Sequence, residues 1–337
     1  MAEDGHSRRY LITGGAGFIG SHLTDELLAR GSEVTAVDDL STGRAENLGA
    51  LGKRRSLRLI EADAGDEELL DLEVARADQV VHLAAAVGVG LIVEQPVRSI
   101  ETNLLLTERV LRAARRYGRR VFLASSSEVY GKRAETPFSE SDDVVLGSSD
   151  RSRWSYAAAK MTGEFLAMAY HKEHGLPVTI GRFFNTVGPR QTGRYGMVVP
   201  RFVRQAIGGG PLTVYGDGAQ SRCFCDVRDV VRAVVGLIEH RDAAGETFNI
   251  GGTDETTILT LAERVRRMAG GGVSIIHQPY EDAYEAGLDD VRRRVPDTRK
   301  IEALLGWTPR IPLDETLHAI FAEARAESRE PLQARAG

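Results

Sequence analysis

Residues 10–23 read YLITGGAGFIGSHL, an apolar strand that runs into Gly14, Gly15, Gly17 and Gly20 and then into an amphipathic helix. Gly15, Gly17 and Gly20 fit the spacing G-x-G-x-x-G. In that pattern the glycines allow a tight turn and a close backbone approach to a pyrophosphate, whose charge is favoured by the free N–H groups at the helix start. The glycine pattern alone is common, so its context carries the weight. About 20 residues further on, VTAVDDL places Asp38 at the end of a second apolar run, where a carboxylate accepts the ribose hydroxyls of NAD and repels the 2'-phosphate of NADP. Gly14, Gly17, Phe18, Ile19, Gly20 and Asp38 are therefore expected to hold NAD. Asp63, in LIEADAGD, is placed equally well to cap a helix or to meet the adenine.

Outward from this loop, the first 180 residues alternate short apolar runs with longer amphipathic ones, the pattern of a parallel sheet covered by helices on both faces. Strands are expected near 9–13, 33–38, 56–61, 79–83, 120–125 and 177–182. Apolar residues at 97, 100, 104, 111 and 114, and again at 157, 161, 165 and 168, have helical spacing. Beyond 183, Gly and Pro thicken in GPRQTGRYGMVVP and GGGPLTVYGDG, and the apolar runs become short. The expected fold class is α/β, a Rossmann doubly wound parallel sheet with a smaller mixed α/β substrate lobe. Residues 1–182 would form the first lobe with a return segment at about 227–250, residues 183–226 and 251–328 the second, and 329–337 a tail.

The 337 residues carry a net charge of -5 with no long basic run, which argues against nucleic acid as a partner. The longest apolar stretch, 80–93, is shorter than the roughly 18 residues a membrane span needs. The opening MAEDGHSRRY has no apolar core of a secretory signal, and Cys223 and Cys225 offer no disulfide framework, so a cytoplasmic location is expected. His171 and His174 share a helix face and read as solvated rather than as metal ligands. No metal is expected.

Two further motifs carry chemistry. In WSYAAAK, Tyr156 and Lys160 lie four apart on a helix and share one face. An ammonium about 4.5 Å from a phenol, at an effective dielectric near 20, is worth roughly 3–4 kcal/mol, enough to bring the tyrosine toward working range as an acid or base. In VFLASSSEVYG, a buried strand ends in Ser125, Ser126, Ser127 and Glu128, where side chains of a doubly wound sheet point into the ligand crevice. Ser126 would share a hydrogen bond with a reacting hydroxyl, and Glu128 adds a carboxylate beside it.

TGGAGFIG, Asp38, HLAA at 82–85, SSSEVYG and the Tyr156–Lys160 pair occur in the order of the extended short-chain dehydrogenase/reductases that act on nucleotide sugars, and the chain resembles them through RFFNTVGPR, PLTVYGDG, SRCFCDVRDV and LLGWTP. The resemblance implies a lobe that holds NAD, with Leu83 and Lys160 among its contacts, and a second lobe that grips a UDP-sugar. Carried over by position, Ser127, Asn185 and Arg190 would face the sugar and diphosphate, Arg222 the phosphates, and Val199 and Tyr215 the base. Dehydratases of this group have an Asp-Glu pair before VYG. Here the pair is Ser127-Glu128, as in UDP-glucuronate decarboxylases, and Arg294 two residues before Pro296-Asp297 also follows the decarboxylase form. The implied reaction is decarboxylation of UDP-glucuronate to UDP-xylose through a 4-keto sugar, with Tyr156, Lys160, Ser126, Glu128 and Arg294 as the working residues. A UDP-hexose 4-epimerase is the alternative. One departure stands out: the Pro-rich segment with an Asn-Tyr pair that decarboxylases place after the fourth strand is replaced by AAAVGVGLIVEQP at 84–96, with neither residue. A carboxylate would then fall to Arg294, Arg98 or backbone amides. The resemblance also implies a homodimer built on the helices at 97–117 and 154–174.

Overall fold

The computed structural model describes residues 7–53, 55–88, 94–193, 197–279 and 291–329. Strand β1 (Arg9–Thr13) feeds the glycine loop and helix α1 (Phe18–Ala29), followed by β2 (Glu33–Asp38) and β3 (Leu57–Glu61). Helix α2 (Glu67–Arg76) leads to β4 (Gln79–His82), then α3 (Pro96–Tyr117), β5 (Arg120–Ser126), α4 (Arg153–His174) and β6 (Val178–Phe183). These agree with the expected strands and helices to within a residue at each end. Val80, Val81 and Leu83 of the apolar stretch 80–93 lie in or beside β4, while 89–93, the centre of the departing segment 84–96, lie outside the described residues.

After β6 come β7 (Thr186–Val187), α5 (Val198–Ile207), β8 (Leu212–Tyr215), β9 (Ser221–Cys223) and β10 (Cys225–Asp226). Helix α6 (Val227–Glu239) and β11 (Glu246–Ile250) return to the large sheet, where β11 pairs in parallel with β6. The chain then leaves again through β12 (Glu255–Thr257), α7 (Ile258–Met268), β13 (Ile275–Gln278), β14 (Arg293–Arg294), α8 (Arg299–Leu305) and α9 (Leu313–Arg329). Arg329, placed at the start of a tail by the sequence, is the last residue of α9; residues 330–337 lie outside the described ones.

The seven-stranded sheet has the order β11-β6-β5-β4-β1-β2-β3, every pair parallel. Parallel strands need crossover helices, and those helices bury apolar stripes on both faces. On one face Leu23 and Leu27 of α1 and Val230, Val234 and Ile238 of α6 join Ile12, Val81 and Phe122. On the other, Leu70 and Val74 of α2, Leu106 and Val110 of α3, and Ala167 of α4 meet Leu11, Val80 and Val121. A separate core gathers Val199, Phe202 and Val203 of α5, Leu212 and Val214 of β8, Leu261 and Val265 of α7, and Leu317 and Phe321 of α9.

Polar groups are also buried where α4 crosses the sheet. Arg182 of β6 donates through Nη2 to Glu164 Oε2 at 2.7 Å and through Nε to Oε1 at 3.0 Å, with both side chains under a tenth exposed. The Ser125 hydroxyl donates to the same carboxylate, and the Arg182 guanidinium lies 4.8 Å from the centroid of the Tyr130 ring. Tyr130 in turn donates to Asn249 Oδ1 of β11 at 2.7 Å. This fork of hydrogen bonds fixes α4 against β5 and β6. Replacing Arg182 by leucine leaves a buried carboxylate without its partner, and urea unfolding is expected to show a loss of about 3–5 kcal/mol. Arg182→Met combined with Glu164→Leu, which removes both charges, is expected to recover most of it.

Candidate active site

In an open parallel sheet the ligand crevice opens beyond the carboxyl ends of the strands, where successive connections run in opposite directions. Here that point lies between β1 and β4: from β1 the chain proceeds outward through β2 and β3, then comes back to β4 on the other side of β1. A cavity of about 510 Å³ opens there, bounded by residues from the glycine loop to Arg294.

The glycine loop forms its floor. Gly14 has φ +73°, and a Cβ there would stand 2.8 Å from the backbone nitrogen of Ala84, so this position excludes other residues by both conformation and space. A Cβ on Gly20 would collide with the Gly14 carbonyl, so α1 can pack this close to the loop only with glycine there. Gly17 caps α1 without any side-chain hydrogen bond, and Gly17, Phe18, Ile19 and Gly20 all line the cavity. A helix N-terminus open in this way is suited to a pyrophosphate. The residues therefore fit a dinucleotide.

Asp38, 7% exposed, accepts from the backbone N–H groups of Ala16 at 3.0 Å and Leu40 at 2.9 Å, so it shapes the loop as well as lining the cavity. Burial raises its pKa above the ordinary aspartate value, and the N–H donors pull against that. Asp63 also lines the cavity, but its carboxylate accepts from Gly65 N–H; the cap of α2 is Asp66, which accepts from the N–H groups of Glu68 and Leu69. Leu83 lies at the end of β4 against the same space. Beneath it, His82 is bonded to Thr13 Oγ1 and Thr107 Oγ1, and burial holds its pKa down at about 3, so it stays neutral and joins β1 and β4 to α3.

The cavity's other end holds Ser126, Ser127, Glu128, Tyr156, Lys160, Asn185, Arg190 and Arg294 together. The electrostatics of Tyr156 correct the sequence-based expectation. Burial pushes the Tyr156 pKa well above its ordinary value, with a hydrogen bond from Ser126 working the other way. Lys160 donates to the Ala124 carbonyl at 3.0 Å, and burial lowers its pKa to about 8, against the pull of Glu164 one turn on. The simple Coulomb argument counted the attraction of one ammonium and left out the cost of taking both groups out of water.

Glu128 lies in a short 3-10 turn after β5, and its backbone N–H donates to Ser126 Oγ. Arg294 Nη1 donates to Glu128 Oε1 at 2.7 Å across 166 residues of chain. The meeting is set by β14, which runs parallel to β9 with Arg294 opposite Arg222. Arg153 adds a third guanidinium, its Nη2 3.7 Å from Glu128 Oε2. Burial, the largest single influence, pushes the Glu128 pKa up. Arg294, Arg153 and Arg222 together outweigh it and hold Glu128 below the ordinary glutamate value.

Of the other residues expected at the sugar and diphosphate, Asn185 has a buried Nδ2 with no hydrogen-bond partner, and Thr186 Oγ1 and Gln191 Oε1 beside it are likewise unmet. Such atoms are rare in a folded interior and suit a polar ligand. Arg190, at φ +65°, pairs with Asp25 at 2.8 Å and donates its backbone N–H to Glu323. Three residues lie outside the cavity lining: Val199 is buried in the second core, Tyr215 lies under the Arg201 guanidinium at 4.3 Å, and Arg222 is buried behind Glu128 with Nη1 on the Ser221 carbonyl. Arg153 was missed. Its signal was its position three residues before Tyr156, one helical turn away on the same face. Lys132 Nζ lies 5.5 Å from the centroid of the Trp154 ring, which Arg153 also approaches. Cys223 and Cys225 are buried free thiols, and no group of three or more potential metal ligands occurs among the described residues.

Residues 10–251 match the family described as the NAD dependent epimerase/dehydratase family. The chain is 40% identical over 311 residues to a protein of Bacillus cytotoxicus named UDP-N-acetyl-alpha-D-glucosaminuronate decarboxylase, covering 92% of this chain and 95% of that one. It is 41% identical over 318 residues to UDP-glucuronic acid decarboxylase 1 of Arabidopsis thaliana, covering 94% of this chain and 70% of that one. Among solved structures, the UDP-glucose 4-epimerase of Thermotoga maritima with UDP-glucose superposes with a TM-score of 0.85 at 32% identity, over 95% of this chain and all of the other. The match over residues 10–251 and these relatives, together with a glycine loop at the start of α1, Asp38 at the next strand end, and Tyr156 and Lys160 facing the same cavity, show that the chain belongs to the NAD dependent epimerase/dehydratase family.

Proposed function

We propose that the protein is an NAD-dependent decarboxylase that converts UDP-glucuronate to UDP-xylose through a UDP-4-keto sugar. The observation that carries this reading is the Glu128–Arg294 pair at 2.7 Å in the same cavity as Tyr156 and Lys160. A 4-epimerase needs only the tyrosine, its lysine and a hydroxyl partner. A carboxylate locked between guanidiniums beside them is surplus to epimerisation and suits a substrate that changes its own charge. The two decarboxylase relatives support the same choice.

NAD, when bound, supplies the hydride acceptor for the sugar's 4-position and later the donor that restores it. Tyr156 takes the proton of the 4-hydroxyl, sharing it with Ser126, and Lys160 supplies the positive charge that this transfer needs. Once C4 is a ketone, the carboxylate on C5 is β to it, and carbon dioxide leaves as the C–C bonding electrons move into the carbonyl. Tyr156 and Ser126 hydrogen-bond the enolate oxygen. Glu128 remains an anion, so it orients a water or the carboxylate rather than acting as the acid, and a proton from solvent completes C5. Asn185 and Arg190 hold the sugar and diphosphate.

Incubation with UDP-glucuronate and NAD, followed by mass spectrometry of the nucleotides, should show loss of carbon dioxide and formation of UDP-xylose. UDP-N-acetylglucosaminuronate in a parallel reaction tells which substituent C2 accepts. The second reading, a UDP-hexose 4-epimerase, rests on the absence of Asn and Tyr from 84–96, and conversion of UDP-glucose to UDP-galactose with UDP-glucuronate untouched would establish it instead. The alkaline limb tests Lys160. The ammonium is present below pH about 8 and lost as pH rises through that value, so kcat/KM should fall on the alkaline side with a midpoint near 8. Lys160→Arg should lower kcat/KM by about 10²-fold or more, while the same change at the exposed Lys172 leaves it intact.

The division of labour follows the two cores, with the large sheet holding NAD and the smaller lobe gripping the UDP-sugar. Buried free thiols suit a reducing cytoplasm, and no helix among the described residues is long and apolar enough to cross a membrane. Phe165 on α4 is 70% exposed, and Val97 and Leu105, eight apart on the neighbouring α3, are 66% and 48% exposed. An apolar face of this kind fits a second copy of the chain. Light scattering should report a dimer, and Phe165→Asp should shift it to monomer.

A further inference from the structure

Strand β14 contains only Arg293 and Arg294, and it lies in a run of three arginines, Arg292 to Arg294. Its pairing with β9 sets Arg293 opposite Ser221 and Arg294 opposite Arg222. So short a ladder specifies register weakly, and a slip of one residue turns every side chain to the other face. Slipped in this way, β14 would send Arg293 or Val295 toward Glu128 in place of Arg294. The arginines are chemically alike, so the choice among them has to come from what each one meets.

Successive residues of a strand point to opposite faces. The Arg294 side chain, 8% exposed, turns inward to Glu128, and that of Arg293, 54% exposed, turns outward. There Arg293 reaches across β9 to Glu255 on β12, the strand at β9's other edge. The contact is a fork, with Nε donating to Oε1 and Nη2 to Oε2, each at 2.7 Å. Ser221, on the strand between them, donates its hydroxyl to the same Oε1. The third donor of Arg293, Nη1, is 2.8 Å from Thr136 Oγ1, in the loop that continues from the Glu128 turn. Further along that loop, the Phe138 N–H donates to the Val295 carbonyl and the Asp297 N–H to the Phe138 carbonyl, both at 2.8 Å. The chain that leaves Glu128 and the chain that carries Arg294 are thus tied together outside the cavity as well as within it.

An exposed ion pair adds little to stability, but a bidentate arginine–carboxylate pair imposes a geometry. The Arg293 fork, and after it the Ser221 hydroxyl, holds the Glu255 pKa down at about 2, so the pair stays charged at any working pH.

We propose that Arg293 and Glu255 are positioning residues for the reaction: their fork across β9 selects the register of β14 and so brings Arg294, rather than a neighbour, to Glu128. The inference rests on the decarboxylase reading above, which gives the Glu128–Arg294 pair its role. Neither Arg293 nor Glu255 lines the cavity, so both act through Arg294.

A double-mutant cycle tests this. Arg293→Ala should lower kcat/KM for UDP-glucuronate about tenfold in the wild-type background, and by less than about twofold in an Arg294→Gln background, where the guanidinium to be placed is gone. Glu255→Gln keeps the shape and weakens the fork, so it should act in the same direction with a smaller effect. Arg293→Lys should restore part of the loss. The pH profile gives a second readout. With Arg294 in register Glu128 is held below the ordinary glutamate value; once Arg294 drifts, Arg153, Arg222 and the Tyr156 hydroxyl still face it, but burial is opposed less. The acid limb of kcat/KM should therefore move upward by about one pH unit in Arg293→Ala, a change that a general loss of stability would not produce. An unchanged Kd for NAD, held at the other end of the cavity, reports that each variant is folded, and Glu255→Gln carries the same cycle if Arg293→Ala is not. Equal losses in the two backgrounds would overturn the assignment, as would wild-type kcat/KM and acid limb in Arg293→Ala. Wild-type protein that leaves UDP-glucuronate unconverted overturns the parent reading, and this one with it.

Discussion

The candidate site is assembled at the carboxyl edge of a parallel sheet, above the neighbouring strands β1 and β4. The connections that leave β1 and β4 run in opposite directions, toward β2 and β3 on one side and toward β5 and β6 on the other, and so open a crevice beyond the ends of these two strands. The glycine loop, Asp38, the end of β4 and the serines after β5 must therefore face one another across it. His82 spans the division below the cavity, bonded to Thr13 on β1 and to Thr107 on α3, and as a neutral imidazole it joins the two sides without adding charge.

Two buried ionic arrangements lie beside α4, the helix that carries Tyr156 and Lys160, and serve different ends. Glu164 and Arg182 form a closed, nearly buried fork that also satisfies Ser125 and stacks on Tyr130, so its charges are spent within the fold. Glu128 is held as an anion by Arg294, Arg153 and Arg222, and it opens onto the cavity with Arg153 and Arg294. The first arrangement holds Lys160 and Tyr156 in place from behind. The second sets a carboxylate and two guanidiniums at one end of the cavity, while Asp38, Asp39 and Asp63 line the other beside the glycine loop.

Lysine is scarce here, with five among 43 basic residues. Two of them stand at the start of α4: Lys160 within the helix, its ammonium on the Ala124 carbonyl of β5, and Lys132 over the ring of Trp154. Arg153, Arg294 and Arg222, in contrast, meet carboxylate and backbone oxygens where a fork is useful.

The local patterns determined a good deal. Short apolar runs and period-3.6 apolar spacing located the strands and long helices of the large sheet to within a residue, because both faces of a parallel sheet must be covered by amphipathic helices. The glycine loop, Asp38, the serine-glutamate turn and the tyrosine-lysine pair were legible because each is a contiguous motif whose spacing is its geometry. What depended on long-range register was not legible. Arg294 meets Glu128 because β14 lies in register with β9, while Val199 and Tyr215 turn into a core and under an arginine that no local pattern shows. The same holds for charge: adjacency in sequence suggested that Lys160 would lower Tyr156, whereas the burial that reverses the direction is a property of the whole packed molecule. Sequence alone determined which chemical groups are present and on which local elements; tertiary structure decided which of them share a cavity and how far each is removed from water, because burial and non-local contact exist only once the chain has packed.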